Sequence, residues 1–215
     1  MEIISIPGIG FSSNVFLVKG EKKNLLIDVS LAENSDYVLD ALTKYVELNR
    51  IDAVFLTHRH CDHIGAAKRV LDETGAQLFC PAIDRDAIAN GDETTGAQLF
   101  GVHTEPVPVT GVEEGWKMDL GGMVLELLST PGHTIGSGAL HDAENKILFS
   151  GDTVFSGGGV GRWDLATGNY GQLVNSVARL SKLGIERLYP GHGPNMEEWA
   201  HESIDASLRG LGMWK

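Results

Sequence analysis

The sequence predicts an α+β fold in which two β-rich halves pack face to face with helices on the outside. Each half of the chain runs through a block of short strands before it reaches helical segments. No linker-like or low-complexity stretch separates the halves, so residues 1–215 are expected to form a single domain. Hydrophobic residues make up 42% and charged residues 21% of the chain, which is typical of a globular protein with its own core.

The first half begins with three short apolar segments, at residues 2–6, 14–18 and 24–28, which predict strands joined by tight turns. Apolar side chains at three- to four-residue intervals predict a helix over 34–48, with Asn34 or Ser35 as its N-cap. The nearly continuous apolar run at 51–56 predicts a strand that is buried on both faces. A helix over 64–73, a strand over 77–80 and a helix over 81–90 are expected to follow.

The second half has the same order of strands first and helices later. Five strands are predicted at residues 105–109, 116–119, 123–129, 138–141 and 146–150, with turn residues at 121–122 and 144–145. A helix over 170–183, a short strand over 187–189 and a closing helix over 196–208 complete the chain.

Charge and composition narrow the classes of partner and compartment. The 17 basic and 29 acidic residues give a net charge of −12, which disfavours binding to nucleic acid or to anionic lipid. The N-terminus has the character of neither a signal peptide nor a membrane span. Of the two cysteines, Cys61 lies inside a dense group of potential metal ligands, so a disulfide to Cys80 is not expected. We therefore expect a cytoplasmic protein that binds a small molecule. The sequence leaves the oligomeric state of the protein open.

The segment Thr-His-Arg-His-Cys-Asp-His at residues 57–63 carries the clearest chemical signal. His58, His60, Asp62 and His63 place three imidazoles and one carboxylate directly after the predicted buried strand. Both side-chain types bind divalent metals. Alternate residues of an extended segment point to the same side, whereas Asp62 and His63 follow where the chain turns into a helix. The motif can therefore serve two adjacent metal positions.

Three further candidate ligands lie in glycine-containing loops that follow predicted strands. They are His133 in Thr-Pro-Gly-His-Thr, Asp152 in Ser-Gly-Asp-Thr and His192 in Pro-Gly-His-Gly. Glycine permits the tight turn that directs a ligand inward. Each residue alone would equally fit a loop cap or a turn. Together they complete a set of seven metal ligands.

The HxHxDH pattern, followed by separate His, Asp and His positions, resembles the metallo-β-lactamase superfamily over nearly the whole chain. The resemblance implies an αββα four-layer sandwich of two mixed β-sheets, with the metal site at one edge. It also implies two divalent metal ions, zinc in the first place and iron as the alternative. One ion would be held by His58, His60 and His133, the other by Asp62, His63 and His192, with Asp152 between them.

Residues 151–155 (GDTVF) and 161–165 (GRWDL) are similar to short glyoxalase II-like proteins of the hydroxyacylglutathione hydrolase type. Longer glyoxalase II enzymes carry an added helical domain with glutathione-binding residues, and this chain ends soon after His192, so the use of glutathione as the thiol carrier stays open. Arg162 is a candidate contact for a substrate anion, with Asp164 in support. An Arg–Asp pair that braces a loop is the more common arrangement.

These features predict a binuclear metallo-hydrolase that cleaves a thioester or a related ester of a small molecule. A hydroxide that bridges the two ions is the expected nucleophile, with Asp152 between the ions and Asp62 orienting the hydroxide as the catalytic carboxylates. The first alternative is a persulfide dioxygenase that holds a single iron on His58, His133 and Asp152. A lactonase with the same hydroxide is the second alternative.

Two other classes fit the sequence less well. An RNA-processing nuclease with the same motif needs a basic surface to hold its substrate, which the net charge of −12 disfavours. A module that only stores metal needs a closed coordination shell, which two adjacent ligand sets with a shared carboxylate do not suggest.

Overall fold

The computed structural model, which describes residues 1–212, contains two β-sheets that pack against each other. Strands β1 to β6 form one sheet in sequence order, and the second sheet has the order β11-β10-β9-β8-β7. The strands are β1 (Glu2–Ile6), β2 (Val15–Lys19), β3 (Asn24–Ile27), β4 (Ala53–Phe55), β5 (Gln77–Pro81), β6 (Thr110–Val112), β7 (Lys117–Asp119), β8 (Val124–Ser129), β9 (Gly138–Asp142), β10 (Ile147–Gly151) and β11 (Arg187–Pro190).

Helices cover the outer face of each sheet. The α-helices of the described residues are α1 (Ser35–Leu42), α2 (Cys61–Ile64), α3 (Ala67–Thr74), α4 (Arg85–Asn90), α5 (Ala97–Phe100), α6 (Tyr170–Leu180) and α7 (Ala200–Gly212). Apolar residues of α1, α3 and α4 pack on the six-stranded sheet, and those of α6 and α7 pack on the five-stranded sheet. This order of layers confirms the predicted αββα sandwich. No helix within residues 1–212 is both long enough and apolar enough for a bilayer crossing.

Both sheets are mixed, and their parallel strands end at the edge that carries the candidate ligands. β3, β4, β5 and β6 pair in parallel, so Asp28 after β3 and His58 after β4 lie at the same edge. In the second sheet β10 and β11 are parallel, and β8 runs the same way because both β8 and β10 are antiparallel to β9. The loops after β8, β10 and β11 carry the three candidate ligands outside the motif, which are His133, Asp152 and His192.

The layer between the two sheets consists of aromatic and aliphatic side chains from both of them. Phe16 of β2 contacts Phe149 of β10 and Tyr189 of β11, with ring centroids 5.5 and 5.6 Å apart. Ala53 and Phe55 of β4 point into this layer, while Val54 points to the helix-covered face. β4 is thus buried on both faces, as its apolar run predicts. That residues 1–215 form a single domain stays a prediction.

Several predicted elements have different bounds. The helix expected over 34–48 ends at Leu42, and the chain turns so that Val46 and Leu48 still pack on the same core. The strand expected over 105–109 is absent from the described residues, and β6 begins at Thr110 instead. Pro106 and Pro108 explain this shift because proline has no N–H to donate to a strand ladder.

The closing helix and the helix after the ligand motif also begin later than predicted. Met196 exchanges two backbone hydrogen bonds of 2.8 Å with Leu188, so α7 begins only at Ala200. Only the end of the ligand motif is helical, in the single turn α2, and α3 begins at Ala67. The short helix α5 has no counterpart in the sequence prediction.

We expect Phe16→Ala to lower the free energy of unfolding by about 3–5 kcal/mol, because it removes a buried ring and leaves a cavity between the sheets. Phe11→Ala is the matched control. Its side chain is 73% exposed, so its change should stay within about 0.5 kcal/mol. Urea unfolding at a fixed metal concentration measures both variants. Equal losses in the two variants would contradict the role of Phe16 in the shared layer.

Candidate metal centre

The seven predicted ligands meet at one edge of the sandwich, in three overlapping groups. In each group the potential ligand atoms all lie within 4.8 Å of one another. The groups are His58 with His60 and His133, His58 with His63 and Asp152, and Asp62 with His63 and His192. The structure therefore brings together every ligand position that the sequence indicates.

The first set combines two histidines of the loop after β4 with the histidine that follows β8. His60 Nδ1 lies 2.8 Å from His133 Nε2. The rings of His58 and His60 are 4.9 Å apart at an angle of 82°, so they converge from different directions. All three side chains are buried. Three imidazole nitrogens in this arrangement form a compact nitrogen donor set for one metal ion.

The second set combines the end of the motif with the loop after β11. His192 Nε2 lies 3.0 Å from Asp62 Oδ2, and His63 Nε2 lies 3.6 Å from the same oxygen. His63 is fully buried, whereas the side chain of His192 is 32% exposed. This set therefore has one ligand at the surface of the protein and two ligands inside.

Asp152 lies between the two sets. Its Oδ2 atom is 3.5 Å from His133 Nε2 of the first set and 3.5 Å from His192 Nε2 of the second set. Its Oδ1 atom is 3.2 Å from His63 Nε2. A carboxylate in this position can bind two ions at once.

Buried Asp28 determines which nitrogen of two histidines is free to bind metal. Its Oδ1 accepts a hydrogen bond from the Thr57 backbone N–H at 2.8 Å, and its Oδ2 accepts one from the Thr57 hydroxyl at 2.9 Å. His63 Nδ1 donates to the same Oδ2 at 2.8 Å. Because the Thr57 hydroxyl donates to Asp28, its oxygen accepts from His58 Nδ1 at 3.1 Å. Both histidines thus direct Nε2 towards the cluster, where it is the ring nitrogen available to a metal.

The ring of His133 is oriented by a backbone carbonyl. Its Nδ1 lies 2.6 Å from the Arg162 carbonyl oxygen, which can only accept, so Nδ1 carries the proton and Nε2 faces the cluster. The loop after β10 therefore carries the predicted ligand Asp152 and also the acceptor that orients His133. The sequence indicates no such role for the main chain of Arg162.

Unpaired buried atoms in the cluster fit a bound cation. His58 Nε2, His63 Nε2 and Asp152 Oδ1 are buried, and none makes a hydrogen bond of acceptable geometry, although the last two atoms lie 3.2 Å apart. Buried polar atoms are nearly always paired, so an unpaired group of this kind requires an explanation. The three atoms belong to one of the potential ligand groups. Imidazole and carboxylate donors of this kind suit two divalent ions.

Electrostatics at the first set keep the imidazoles of His58 and His60 neutral. Burial, together with the neighbouring histidines, lowers the pKa of His58 well below its usual value. Burial and His133 lower the pKa of His60 to about 3. Since a metal-binding imidazole nitrogen must be unprotonated, both rings are in the form that binds a metal.

The second set has a negative environment. Burial alone would lower the pKa of His63, but the carboxylates of Asp152, Asp28 and Asp62 outweigh it and raise that pKa. Burial disfavours the charged form of Asp62 and Asp152, yet His63 and its neighbours hold both pKa values below the usual range. The carboxylates are thus ionised, and their combined charge attracts a cation.

A buried ion pair braces the loop that carries the first ligands. Arg59, between His58 and His60, donates from its Nε and Nη2 atoms to Asp84 Oδ1 at 2.9 and 2.6 Å. Asp84 Oδ2 accepts from the Arg59 backbone N–H at 2.8 Å and from the Thr134 hydroxyl at 3.3 Å. Asp84 is fully buried. One carboxylate therefore connects the His58–His60 loop with the loop of His133.

Close backbone approach requires glycine at one position beside the ligands. A Cβ atom on Gly191 would lie 2.2 Å from Asp152 Oδ1 and 2.7 Å from the ring of His63. Only glycine leaves room there for both ligands. The glycine before His192 thus has a packing role in addition to the turn.

The other residues considered in the sequence take supporting positions. Cys61 is a buried free thiol that packs with Leu31 and Ala97, and burial raises its pKa to about 12. Cys80 is also a free thiol, so the expected absence of a disulfide is confirmed. The hydroxyl of Tyr189 donates to Glu197 at 2.9 Å.

Arg162 lines the cavity at the cluster, and its side chain pairs with Asp164 through two contacts of 2.9 Å. Its contact with a substrate anion stays a prediction.

Sequence reasoning missed Asp28 and Asp84. Asp28 could have been noticed because a carboxylate after a buried strand lies at the same sheet edge as the motif that follows the next parallel strand. Its φ of 56° is a left-handed conformation that aspartate and asparagine tolerate better than most residues. Asp84 gives no comparable signal, because only tertiary packing brings it to Arg59.

Known proteins resemble the chain over most of its length. The sequence model described as "Metallo-beta-lactamase superfamily" matches residues 8–192. "Probable metallo-hydrolase MJ0888" of Methanocaldococcus jannaschii is 38% identical over 203 residues, covering 89% of this chain and 92% of that protein. "Hydroxyacylglutathione hydrolase GloC" of Haemophilus influenzae is 29% identical over 198 residues, covering 90% and 91%. The crystal structure of TTHA1623 in a di-iron-bound form is 30% identical, with a TM-score of 0.76 and coverage of 93% and 96%.

We expect Asp28→Asn to weaken metal binding about 10- to 100-fold, because it removes the anionic acceptor that orients His63. Asparagine has the same shape and tolerates the left-handed backbone, so the fold should persist. Asp40→Asn, on the exposed side of α1, is the matched control. Competition with a chromophoric chelator measures both affinities. Unchanged zinc affinity in Asp28→Asn would rule out this role.

We expect Asp84→Ala to lower the free energy of unfolding by about 3–5 kcal/mol, because it leaves the Arg59 guanidinium buried without a partner. The double variant Arg59→Met/Asp84→Leu should recover part of this loss, since no unpaired charge remains inside. Urea unfolding compares the two variants with the parent protein. A double variant as unstable as Asp84→Ala would mean that the lost backbone acceptor, not the unpaired charge, causes the effect.

Proposed function

Since the chain belongs to the metallo-β-lactamase superfamily, we propose that it is a binuclear metal-dependent hydrolase that cleaves a thioester or a related ester of a small molecule. The position of Asp152 carries this proposal. Its Oδ2 atom is equally distant, at 3.5 Å, from a histidine of each ligand set. Relatives named as a probable metallo-hydrolase and a hydroxyacylglutathione hydrolase support a hydrolytic reaction.

We assign His58, His60 and His133 to one ion, Asp62, His63 and His192 to the second, and Asp152 to both. Zinc is the first candidate because nitrogen and carboxylate donors at such sites commonly bind it. Iron is the alternative, supported by the di-iron-bound form of TTHA1623. When bound, two such ions supply an activated water molecule and polarise the carbonyl of the substrate.

The residues of the chain provide the environment for this chemistry. Asp62 and Asp152 both line the cavity at the cluster, so an attacking water can donate a hydrogen bond to a carboxylate oxygen. Their low pKa values keep both groups ionised and able to accept that bond. The apolar side chains of Phe155, Val160 and Leu165 line the same cavity and limit the access of bulk water.

The number of bound metals separates this proposal from a persulfide dioxygenase. The dioxygenase alternative uses His58, His133 and Asp152 for one iron, and it leaves the second set without a catalytic task. Elemental mass spectrometry of protein purified without chelators should give two metals per chain. One iron per chain, with oxygen consumed in the presence of a persulfide, would favour the dioxygenase. A higher kcat/KM for lactones than for thioesters would favour the lactonase.

We expect Asp152→Ala to lower kcat/KM for thioester hydrolysis by about 10³-fold or more, because the variant loses the shared ligand and about 4 kcal/mol of transition-state stabilisation. His103→Ala is the control, since this exposed histidine belongs to none of the ligand groups. Chelator treatment should abolish activity, and added zinc or iron should restore it. Full activity in the chelated protein would contradict a metal-dependent reaction.

A further inference from the structure

An open cleft extends from the metal cluster towards helix α5. A cavity of about 220 Å³ lies over the cluster, and another of about 400 Å³ adjoins it. Both are lined by His60, Gly96, Leu99 and Leu165, so a substrate that reaches the cluster has room to extend from one cavity into the other.

Large apolar side chains line part of this cleft. Leu99 and Phe100 of α5 line one side, and they are 69% and 44% exposed. Phe155 and Leu165 line the cavity as well. Beyond the lining, Phe11 of the loop between β1 and β2 contacts Phe100, with ring centroids 5.8 Å apart. Large apolar side chains that stay exposed together beside a site commonly mark a binding surface.

The short helix α5 is fixed to the ligand loop, so its exposed side chains have a defined position. Ala97 packs with Cys61 and Leu31 in a small buried cluster. Just before the helix, the Thr94 hydroxyl accepts a hydrogen bond of 2.7 Å from Arg59 Nη1. Both contacts lead to the segment that carries His58, His60 and Asp62. The apolar wall and the metal ligands are therefore held by the same loop.

Outside the metal cluster, the charged side chains that line the cleft carry more negative than positive charge. Among its described lining residues outside the metal cluster, Arg162 is the one arginine or lysine. Its guanidinium already donates two hydrogen bonds to Asp164, and this carboxylate also lines the cleft. Glu93 adds a second negative charge to the lining. A carboxylate on the substrate would meet more repulsion than attraction in this region.

We propose that the acyl group of the substrate is an uncharged, apolar carbon chain that lies against Leu99 and Phe100. This inference rests on the proposed hydrolysis of a thioester or ester, and it specifies the substrate class of that site. Full burial of one methylene group corresponds to about a fourfold gain in kcat/KM. A partly open wall buries each methylene group incompletely, so each one should raise kcat/KM about twofold. Four added methylene groups should therefore raise kcat/KM at least about tenfold.

Thioesters of one neutral thiol, N-acetylcysteamine, test the proposal without changing the leaving group. We expect kcat/KM of the zinc-loaded protein to rise at least about tenfold from the acetyl to the hexanoyl thioester. The adipoyl thioester has the same chain length as the hexanoyl compound but ends in a carboxylate. Its kcat/KM should be at least about tenfold below that of the hexanoyl thioester. Equal rates for the three compounds, or a preference for adipoyl, would overturn the proposal.

A matched pair of surface variants locates the effect at α5. Leu99→Ser should lower the ratio of hexanoyl to acetyl kcat/KM about fivefold, because one apolar contact is lost. The ratio does not depend on how much of the protein is folded or loaded with metal. Val124→Ser, at a 45% exposed position of β8, should leave the ratio unchanged. A ratio that changes equally in both variants would contradict the role of Leu99.

A binding measurement separates this proposal from the proposed reaction. Titration calorimetry of the zinc-loaded protein compares the S-hexyl and S-ethyl thioethers of N-acetylcysteamine, which cannot be hydrolysed. Tighter binding of the hexyl compound, lost in Leu99→Ser, would support the apolar site even if no thioester is cleaved. In that case only the reaction would be wrong. Equal binding of the two thioethers would overturn the apolar site, whatever the activity.

Discussion

The hydrogen bonds of Asp28 are the interaction on which the rest of the site depends. Burying imidazoles is costly unless their nitrogens are either bonded or ligated. Asp28 satisfies the donors of Thr57 and His63, and Thr57 in turn accepts from His58. This network leaves the Nε2 atoms of the two histidines directed at the cluster. The first and second ligand sets therefore share one buried carboxylate as their structural support.

The layered fold makes this network possible because it brings strand ends together. Parallel pairing of β3 with β4 puts Asp28 beside Thr57, although 29 positions separate them in the chain. Parallel pairing of β10 with β11 likewise puts Asp152 beside the loop of His192. The apolar layer between the sheets then fixes the distance between the two halves. Hydrophobic packing thus sets the geometry of a polar site that lies outside it.

The sequence indicates the candidate ligands, whereas it does not indicate much of their structural support. His58, His60, Asp62 and His63 stand in one short motif, so their types and spacing are visible without a fold. Asp84 and Arg59 are 25 positions apart, and only the turn into α4 brings them into contact. Apolar periodicity likewise predicts the layers but not every boundary, because Val46 packs on the core after the helix has ended. Local patterns indicate which side chains face inward, and tertiary contacts decide where elements stop.

The same tertiary contacts connect the candidate ligands with the apolar side chains that line the cleft. Arg59 lies between two ligands, and its guanidinium reaches both Asp84 and Thr94. Thr94 precedes the helix whose Leu99 lines the cleft. A change in this loop must therefore alter the ligands and the apolar wall together, whereas a change at an exposed position of α5 alters the wall alone. The exposed side chains of α5 can therefore vary without disturbing the buried network that holds the candidate ligands.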